Sequence, residues 1–443
     1  MLLANEWLNV RKCFLLQGNI PYYTEHKDES LMAVSPITTT QRLINIDIIR
    51  GVALLGILIM NIQAFAMVEA AYGNPTAFGD LSGINFVVYY LSHLFADQKF
   101  MTLFSVLFGT SMMLMADNIR DQGRKASERH YRRLYILAAI GILHSLLLWW
   151  GDILFSYAIA GLIAFQYRDK TPKALFKWAV FSLLLCSLLL ALFGLAVQAA
   201  PADELADFYS VWQPTREEIA LEIALMQSGW LAQLGHRFIA MVEMMMSLFI
   251  YLPRIVGLML VGMALYKLDV YRDRYSNKQL LSLALIGLML GLALTVYGNA
   301  QDFANGWPIT SMFFGLQYSY WGSLGIACAY LCLLLVFCRL PVLQGVKRLL
   351  ANVGQMALTN YLSQSLICGF VFYGWGLGLF GELARYQQLL VVFFVWAVLI
   401  SVSQFWLARF RFGPCEWLWR SLTYKSLQPL RRQVSNEQPG YQR

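Results

Sequence analysis

Charged residues are scarce in this chain. Only 14% of its 443 residues are Asp, Glu, Lys or Arg, while 58% are hydrophobic. A soluble domain carries about 25% charged residues and about 45–50% apolar ones, so the composition excludes that class. Apolar runs of about 15–25 residues, long enough to cross a bilayer, recur from Ile48 to Phe405. The sequence therefore predicts an all-α, polytopic membrane helix bundle.

Several motifs of soluble enzymes and metal proteins are also missing. The seven cysteines form no Cys-x-x-Cys pair and the five histidines lack metal-ligand spacing, so neither a disulfide framework nor a metal site is indicated. The chain has no P-loop, no His-Glu-x-x-His and no Gly-x-Ser-x-Gly. The stretch 376–381 matches the dinucleotide glycine pattern, but it follows an apolar run rather than a strand, so the match is accidental.

About ten transmembrane helices are predicted. They lie near 48–68, 100–117, 135–150, 153–167, 178–198, 250–266, 280–298, 321–337, 350–372 and 389–408. Alternate loops are rich in Lys and Arg, whereas the intervening loops hold little more than Lys99, Arg216, Arg237 and Arg385. By the positive-inside rule this pattern predicts that both termini are cytoplasmic. The net charge of +8 is therefore a topology signal, and it favours membrane lipid over nucleic acid as the partner.

Three segments follow from this topology. Residues 1–41 form a polar cytoplasmic extension, 42–425 the transmembrane domain and 426–443 a basic cytoplasmic tail. We expect no cleaved signal peptide, because no basic start precedes an apolar core. Met32 is an alternative to Met1 as the start of translation. Of the longer outer segments, one is predicted to contain a helix over 84–96 and the other includes an amphipathic stretch over 216–226.

The first predicted span carries Asp47, Arg50 and Asn61. An ionisable residue inside a bilayer costs several kcal/mol unless it is paired or solvated. Positions 47, 50, 54 and 61 lie on one face of a helix. The pattern predicts a polar site along the span. The alternative is a membrane anchor in which Arg50 reaches lipid phosphates.

A second candidate site combines His144, near the outer end of the third span, with Asp152 in the following turn. A histidine near neutral pKa suits general-base catalysis, and a carboxylate can orient it. Eight residues correspond to about 12 Å of helix, so direct contact requires the chain to fold back at Gly151. Alternatively, Asp152 caps the fourth span and His144 is a packing residue.

Two further groups of polar residues are candidates for substrate binding. His93 and Asp97, followed by Lys99, are helical neighbours that could pair, or could form a solvated collar at the outer interface. The ninth span carries a polar face, which is typical of interhelical hydrogen bonding unless it lines a cavity. That face comprises Thr359, Asn360, Tyr361, Gln364 and Ser365.

Five motifs together resemble the YeiB family of bacterial inner-membrane proteins. They are Asp47-x-x-Arg50-Gly51 with Asn61, Lys99-Phe100-x-x-Leu-Phe-x-x-Leu-Phe-Gly109, His144 with Gly151-Asp152-Ile-Leu, Met356-Ala-Leu-Thr-Asn360-Tyr361, and Gly413-Pro414-x-Glu416-Trp417-Leu-Trp419-Arg420. The likeness covers about residues 42–425 and implies a bacterial inner-membrane location. The family label implies no chemistry.

The opening of the first motif is similar, more distantly, to transmembrane acyltransferases that acylate envelope or lumenal sugars. In one branch of these enzymes, a histidine occupies the last position of an Arg-x10-His motif. In this chain the corresponding residue is Asn61. The heparan glucosaminide acetyltransferase branch shares the asparagine and uses a histidine of its next outer loop. Since residues 62–92 contain no histidine, His93 and His144 are the candidates, and we favour His144 because Asp152 is near.

This resemblance implies a cytoplasmic acyl-CoA donor and an envelope glycan or lipid acceptor. Arg50 and the basic loop 120–133 would bind the donor phosphates. His144 would relay the acyl group or deprotonate the acceptor, and Asn61 or Asn360 would stabilise the oxyanion.

Two other functions fit the same residues. In a transporter or flippase of a small anionic or amphipathic solute, the polar side chains would line a pathway without doing chemistry. In a lipid-binding or scaffold protein they would be interhelical contacts only. A second copy of the chain is a candidate partner under each hypothesis.

Overall fold

The computed structural model describes residues 44–121 and 126–432, and within these ranges no β-strand forms. The predicted extension 1–41 and the tail from residue 433 onward lie outside the described residues. The helices are α1 Ile44–Ala66, α2 Ala70–Gly73, α3 Gly83–Phe95, α4 Lys99–Asp121, α5 Ala126–Leu147, α6 Leu154–Ala164, α7 Pro172–Ala199, α8 Ala206–Trp212, α9 Arg216–Met226, α10 Leu234–Lys267, α11 Asn277–Ala304, α12 Phe314–Arg339, α13 Gln344–Gln355, α14 Ala357–Phe372, α15 Arg385–Arg409 and α16 Pro414–Tyr424. Short 3-10 turns follow α6 and precede α8 and α12.

Seven helical segments in the described ranges are long and apolar enough to cross a membrane. They are Ile44–Ala66, Gly83–Asp117, Pro172–Ala199, Leu234–Lys267, Asn277–Ala304, Ile309–Arg339 and Arg385–Arg409. The prediction of an all-α, multi-pass bundle is confirmed. The predicted number of ten spans is not confirmed, because α6 and α14 are shorter than these seven segments and α5 begins with basic turns. The helix predicted over 84–96 is present as α3, and the stretch 216–226 forms α9.

The ninth predicted span, 350–372, is two helices rather than one. The chain breaks at Met356, between α13 and α14. The carboxylate of Glu416 on α16 accepts hydrogen bonds from the backbone N–H groups of Leu358 and Thr359, at 2.6 and 3.0 Å, and from the Thr359 hydroxyl at 2.6 Å. A distant carboxylate thus satisfies donors that a new helix start leaves free.

α1 is the central helix of the bundle. In the most apolar stretch of α1, 72% is buried inside the protein. The corresponding share is 22% for α11 and for α15, whose apolar surfaces face outward. α1 packs against α13 where Gly51 and Gly354 face each other. A Cβ atom on either glycine would overlap the backbone of the other helix, at Leu350 or Asp47 respectively. Only glycine permits this approach, which brings Arg50 next to the start of α14.

α16 is held in place by hydrogen bonds from two of its tryptophan side chains. Its Trp419 indole donates to the carbonyl of Arg133 on α5 at 2.9 Å, and Trp417 donates to the carbonyl of Gln428 at 2.7 Å. Residues 426–432, the described part of the predicted tail, therefore pack against α16 rather than extending away. These contacts place α16 across the ends of α5 and α14.

We predict that Glu416→Ala destabilises the protein by about 2–4 kcal/mol, because three donors at the start of α14 lose a charged acceptor. Glu416→Gln should lose less, since its carbonyl oxygen still accepts both backbone N–H groups. Thermal unfolding of detergent-solubilised protein measures the effect. Glu128→Ala, which removes an exposed carboxylate paired with Arg132 at 2.8 Å, is the matched control. Equal melting temperatures for the Glu416→Ala and control variants would contradict the capping role.

Candidate functional site

A cavity of about 210 Å³ lies among α1, α4, α5, α6, α14 and α16. We call its polar end the rim, where Arg50, Arg133 and Arg420 are half-buried. The inner end is apolar and buried, and Tyr361 contributes to it. The main apolar lining residues are Leu54, Ile57, Phe104, Phe108, Leu137 and Tyr157. A cationic end joined to an apolar interior suits an anionic amphiphile.

Arg50 is held in place at the rim by three neighbours. Its guanidinium donates to the Asp47 carboxylate at 2.9 Å, to the Ser111 hydroxyl at 2.7 Å and to the Gly354 carbonyl at 3.4 Å. Only 22% of the Arg50 side chain is exposed. The paired, cavity-facing arrangement favours the interpretation as a site over that of a lipid anchor. Sequence reasoning did not single out Ser111, since a lone serine in an apolar helix carries no signal.

The other guanidinium groups of the rim lie on aromatic faces. Arg133 stacks over Trp419 at 4.0 Å, and Arg420 lies 4.5 Å from the centre of the Phe412 ring. Such stacking fixes the position of the cation beside the cavity, and Arg133 also donates an N–H to the Met115 sulfur at 3.0 Å. Glu416 also lines the cavity. Burial raises the pKa of its carboxyl group, while hydrogen bonds from Thr359 oppose the rise.

His130 lines the cavity near the rim and is 1% exposed. Its ring stacks on Phe165 at 3.7 Å. Among the described residues, neither of its ring nitrogens has a hydrogen-bond partner. Unsatisfied buried polar atoms are rare in folded proteins and need an explanation. A ligand bound in the cavity would supply one.

His144 and Asp152 are in direct contact. α5 ends at Leu147, the chain folds back, and His144 Nδ1 lies 2.8 Å from a carboxylate oxygen of Asp152. The other Asp152 oxygen accepts the backbone N–H of Phe155 at 2.8 Å, at the start of α6. The predicted contact between His144 and Asp152 is therefore present, and the second Asp152 oxygen also bonds the start of α6, as the capping alternative expected. The catalytic role of the pair stays a prediction.

Ser365 on α14 completes this arrangement. Its hydroxyl lies 2.8 Å from His144 Nε2, across 221 residues of sequence. The three side chains are buried, with His144 3%, Asp152 4% and Ser365 2% exposed. The sequence predicted Ser365 only as part of a polar helix face. No spacing rule connects it to His144, since the contact depends on the break at Met356.

Tyr361 connects the cavity to this group. Its side chain lines the inner end, and its ring centre lies 5.1 Å from that of His144. The hydroxyl accepts the N–H of Ile153 at 3.2 Å and donates to the carbonyl of Gly151 at 3.4 Å. Ser365 is one helical turn further along the same face of α14.

Five buried side chains form a group that we call the polar layer. In its own helix or loop, each lies beyond the residues that line the inner end of the cavity. They are Asn61, His144, Asp152, Gln364 and Ser365. Asn61 follows Ile57 by one turn on α1, as predicted for a polar face along that helix. Gln364 donates to the carbonyl of Leu54 at 3.3 Å.

Asn360 is an interhelical contact rather than a lining residue. Its amide donates to the Val353 carbonyl at 3.0 Å and to the Ser403 hydroxyl at 2.9 Å. The cavity lining does not include it. The expectation that Asn360 contacts a substrate is therefore not supported by its position, whereas Asn61 belongs to the polar layer.

His93, Asp97 and Lys99 form a separate cluster outside the cavity lining. His93 Nδ1 lies 3.7 Å from the Asp97 carboxylate and its Nε2 lies 3.2 Å from the Ser319 hydroxyl. The Lys99 ammonium donates to the His93 carbonyl at 2.7 Å. Asp97 and Lys99 are 8% and 0% exposed, so the expected solvated collar is wrong. Tertiary packing of α3 and α4 buries these charges, which the local sequence could not indicate.

Over the parts of the chain that the structure describes, no group of three or more His, Cys, Asp or Glu side chains could hold a metal ion. The polar layer contains an imidazole, a carboxylate and a hydroxyl, which are groups that can carry acid–base and nucleophilic chemistry.

Comparison with known proteins gives the family. The family described as "Protein of unknown function (DUF418)" matches residues 265–426. The uncharacterized protein YeiB of Escherichia coli K12 is 32% identical over 395 residues, which cover 88% of this chain and 98% of that protein. The uncharacterized protein YxaH of Bacillus subtilis 168 is 29% identical over 424 residues, covering 91% and 100%. No solved structure matches the chain. With this similarity along nearly the whole length of both chains, the protein belongs to the YeiB-like family of multi-pass membrane proteins.

Proposed function

We propose that this protein is a membrane-bound acyltransferase that passes an acyl group from acyl-CoA to an acceptor. One observation carries the proposal. A cavity with three guanidinium groups at its rim and an apolar interior ends next to a buried His–Asp pair. A donor with an anionic head and a thioester-linked acyl chain matches both ends of this cavity.

The rim supplies the charge for donor binding. Arg50, Arg133 and Arg420 line it together with the carboxylates of Asp47 and Glu416, so cations outnumber anions. Guanidinium groups bind phosphate oxygens through paired hydrogen bonds. Along α1 the lining runs from Asp47 to Ile57, a rise of about 15 Å. A pantetheine arm or acyl chain entering from the rim would therefore reach deep into the bundle.

The His144–Asp152 pair supports the transfer chemistry. With its Nδ1 proton donated to Asp152, His144 presents Nε2 as a proton acceptor, 2.8 Å from the Ser365 hydroxyl. A hydroxyl or amine deprotonated there would attack the thioester carbonyl, and the C–S bond would break. The CoA thiolate would leave with the proton that His144 had taken. Asn61 is the candidate donor to the oxyanion.

We also propose the orientation. The rim would face the cytoplasm of a bacterial inner membrane, because acyl-CoA is cytoplasmic and because the loops on that side carry most of the Lys and Arg residues. α1 begins at the rim, and α16 also lies there. Both ends of the described chain would therefore be on the cytoplasmic side. The acceptor would be an envelope glycan or lipid that approaches the polar layer from the other side.

We predict that acetyl-CoA or palmitoyl-CoA binds to the purified protein and that Arg50→Ala weakens binding about 10–100-fold, since a charged hydrogen bond contributes roughly 1.5–3 kcal/mol. Isothermal titration calorimetry in detergent measures it. Arg272→Ala is the matched control, because this arginine is 54% exposed and pairs with Asp269 away from the cavity. Absence of binding for both donors would refute the donor assignment, and an equal loss in the control would refute the role of the rim.

We predict that His144→Ala lowers acyl transfer about 100–10,000-fold, because a general base contributes that much, while donor affinity is unchanged. Transfer is measured as incorporation of radiolabel from acetyl-CoA into lipid and glycan fractions of membrane vesicles that contain the protein. His144→Gln, which retains polar side-chain volume without the base, should be equally inactive. Unchanged transfer in a folded His144→Ala variant would refute the mechanism. Solute flux into proteoliposomes without any acyl donor would favour the transporter hypothesis instead.

A further inference from the structure

Ser365, His144 and Asp152 form one continuous chain of hydrogen bonds. The Ser365 hydroxyl lies 2.8 Å from His144 Nε2, and His144 Nδ1 lies 2.8 Å from Asp152. Asp152 uses its other oxygen to accept the Phe155 N–H, which fixes the orientation of the carboxylate. With Nδ1 donating to Asp152, Nε2 of a neutral His144 is an acceptor, so the Ser365 hydroxyl donates to it. This is the role assignment of a nucleophile, a base and an orienting acid, which is recognised by geometry rather than by sequence order.

The hydrogen bond of Ser365 is unusual for a hydroxyl in an apolar helix. Such residues commonly donate to the carbonyl four positions earlier. Ser105, Thr110 and Ser111 on α4 all do so, at 2.8, 3.1 and 2.7 Å. Ser365 instead bonds to the imidazole of another helix. Its proton is therefore directed at a base, which is what activates a serine for attack.

Ser365 is also close to the expected position of the acyl group. Tyr361 forms the end of the cavity on α14, and Ser365 lies one turn beyond it, a rise of about 6 Å. The Tyr361 ring contacts His144 and is held by two long hydrogen bonds, at 3.2 and 3.4 Å. Rotation of this ring would connect the cavity to the Ser365 hydroxyl.

We propose that Ser365 is the nucleophile of a two-step transfer and carries the acyl group as an ester. This inference rests on the proposed acyltransferase function. In the first step His144 Nε2 takes the Ser365 proton, Oγ forms a C–O bond to the thioester carbonyl carbon, and the C–S bond breaks. The CoA thiolate leaves with the proton from His144. In the second step His144 deprotonates the acceptor hydroxyl or amine, which attacks the ester carbonyl and releases Ser365, whose oxygen regains the proton.

The test is acylation of the purified protein by radiolabelled acetyl-CoA or palmitoyl-CoA without an acceptor. We expect one acyl group per chain by intact mass, released CoA in equal amount, and the modification at Ser365 by peptide mass spectrometry. Ser365→Ala should give no acylated protein. Ser365→Cys should form a thioester that neutral hydroxylamine cleaves, whereas the wild-type ester resists it. The matched control is Ser403→Ala, a buried serine bonded to Asn360 outside the cavity, which should be acylated like the wild type.

The outcomes separate this inference from the proposed function. If Ser365→Ala binds the donor and still transfers the acyl group, the nucleophile assignment is overturned while acyl transfer stands, with direct attack by the acceptor. An acyl group found on His144 in the Ser365→Ala variant overturns it in the same way. If the wild-type protein binds neither donor, the proposed function itself fails. Equal melting temperatures for the wild type and Ser365→Ala establish that any loss is chemical.

Discussion

The close approach of α1 and α13 is the constraint on which the site depends. Lipid tails are as apolar as leucine side chains, so membrane helices gain little from the hydrophobic effect and rely on tight packing. Gly51 and Gly354 let the two backbones touch, and each position excludes a Cβ atom. This contact brings Arg50 within 3.4 Å of the Gly354 carbonyl. The chain then breaks at Met356, and α14 begins in a new direction that carries Tyr361 and Ser365 to the side of His144.

Two arginines in the same bundle differ in which groups their guanidinium N–H donors contact. Arg254 donates to Thr102, Ser323 and the carbonyl of Tyr320 and stacks over the Tyr320 ring, so the protein itself surrounds its charge. Arg133 instead rests on an aromatic face at the rim of a cavity and donates one N–H to the Met115 sulfur at 3.0 Å. It lies beside a histidine whose nitrogens have no partner among the described residues. Desolvated polar groups are costly unless bonded. The first arrangement stabilises packing, whereas the second leaves hydrogen-bonding capacity for a ligand.

The sequence predicted the membrane class, the polar face of α1 and, as one of two alternatives, the contact between His144 and Asp152, because these follow from local spacing and from the cost of burying charge. It could not predict the break at Met356, since the group that caps α14 is Glu416, 58 residues from Leu358. It could not predict the Ser365–His144 contact, which joins residues 221 apart. The collar predicted for Asp97 and Lys99 was wrong for a related reason, because burial there comes from the packing of other helices.

The structure of the polar layer helps to choose between acyl transfer and solute transport as the function. His144, Asp152 and Ser365 bond directly to one another and Gln364 bonds to the backbone of α1. Tyr361 adds two further hydrogen bonds beside them. A solute crossing this layer would have to break several buried hydrogen bonds at once, and the donors left behind would each cost about 1–3 kcal/mol. An acyl group needs only to reach the layer from the cavity, with displacement of the Tyr361 ring and its two long hydrogen bonds. The arrangement therefore favours exchange of a group at the layer over passage of a whole molecule through it.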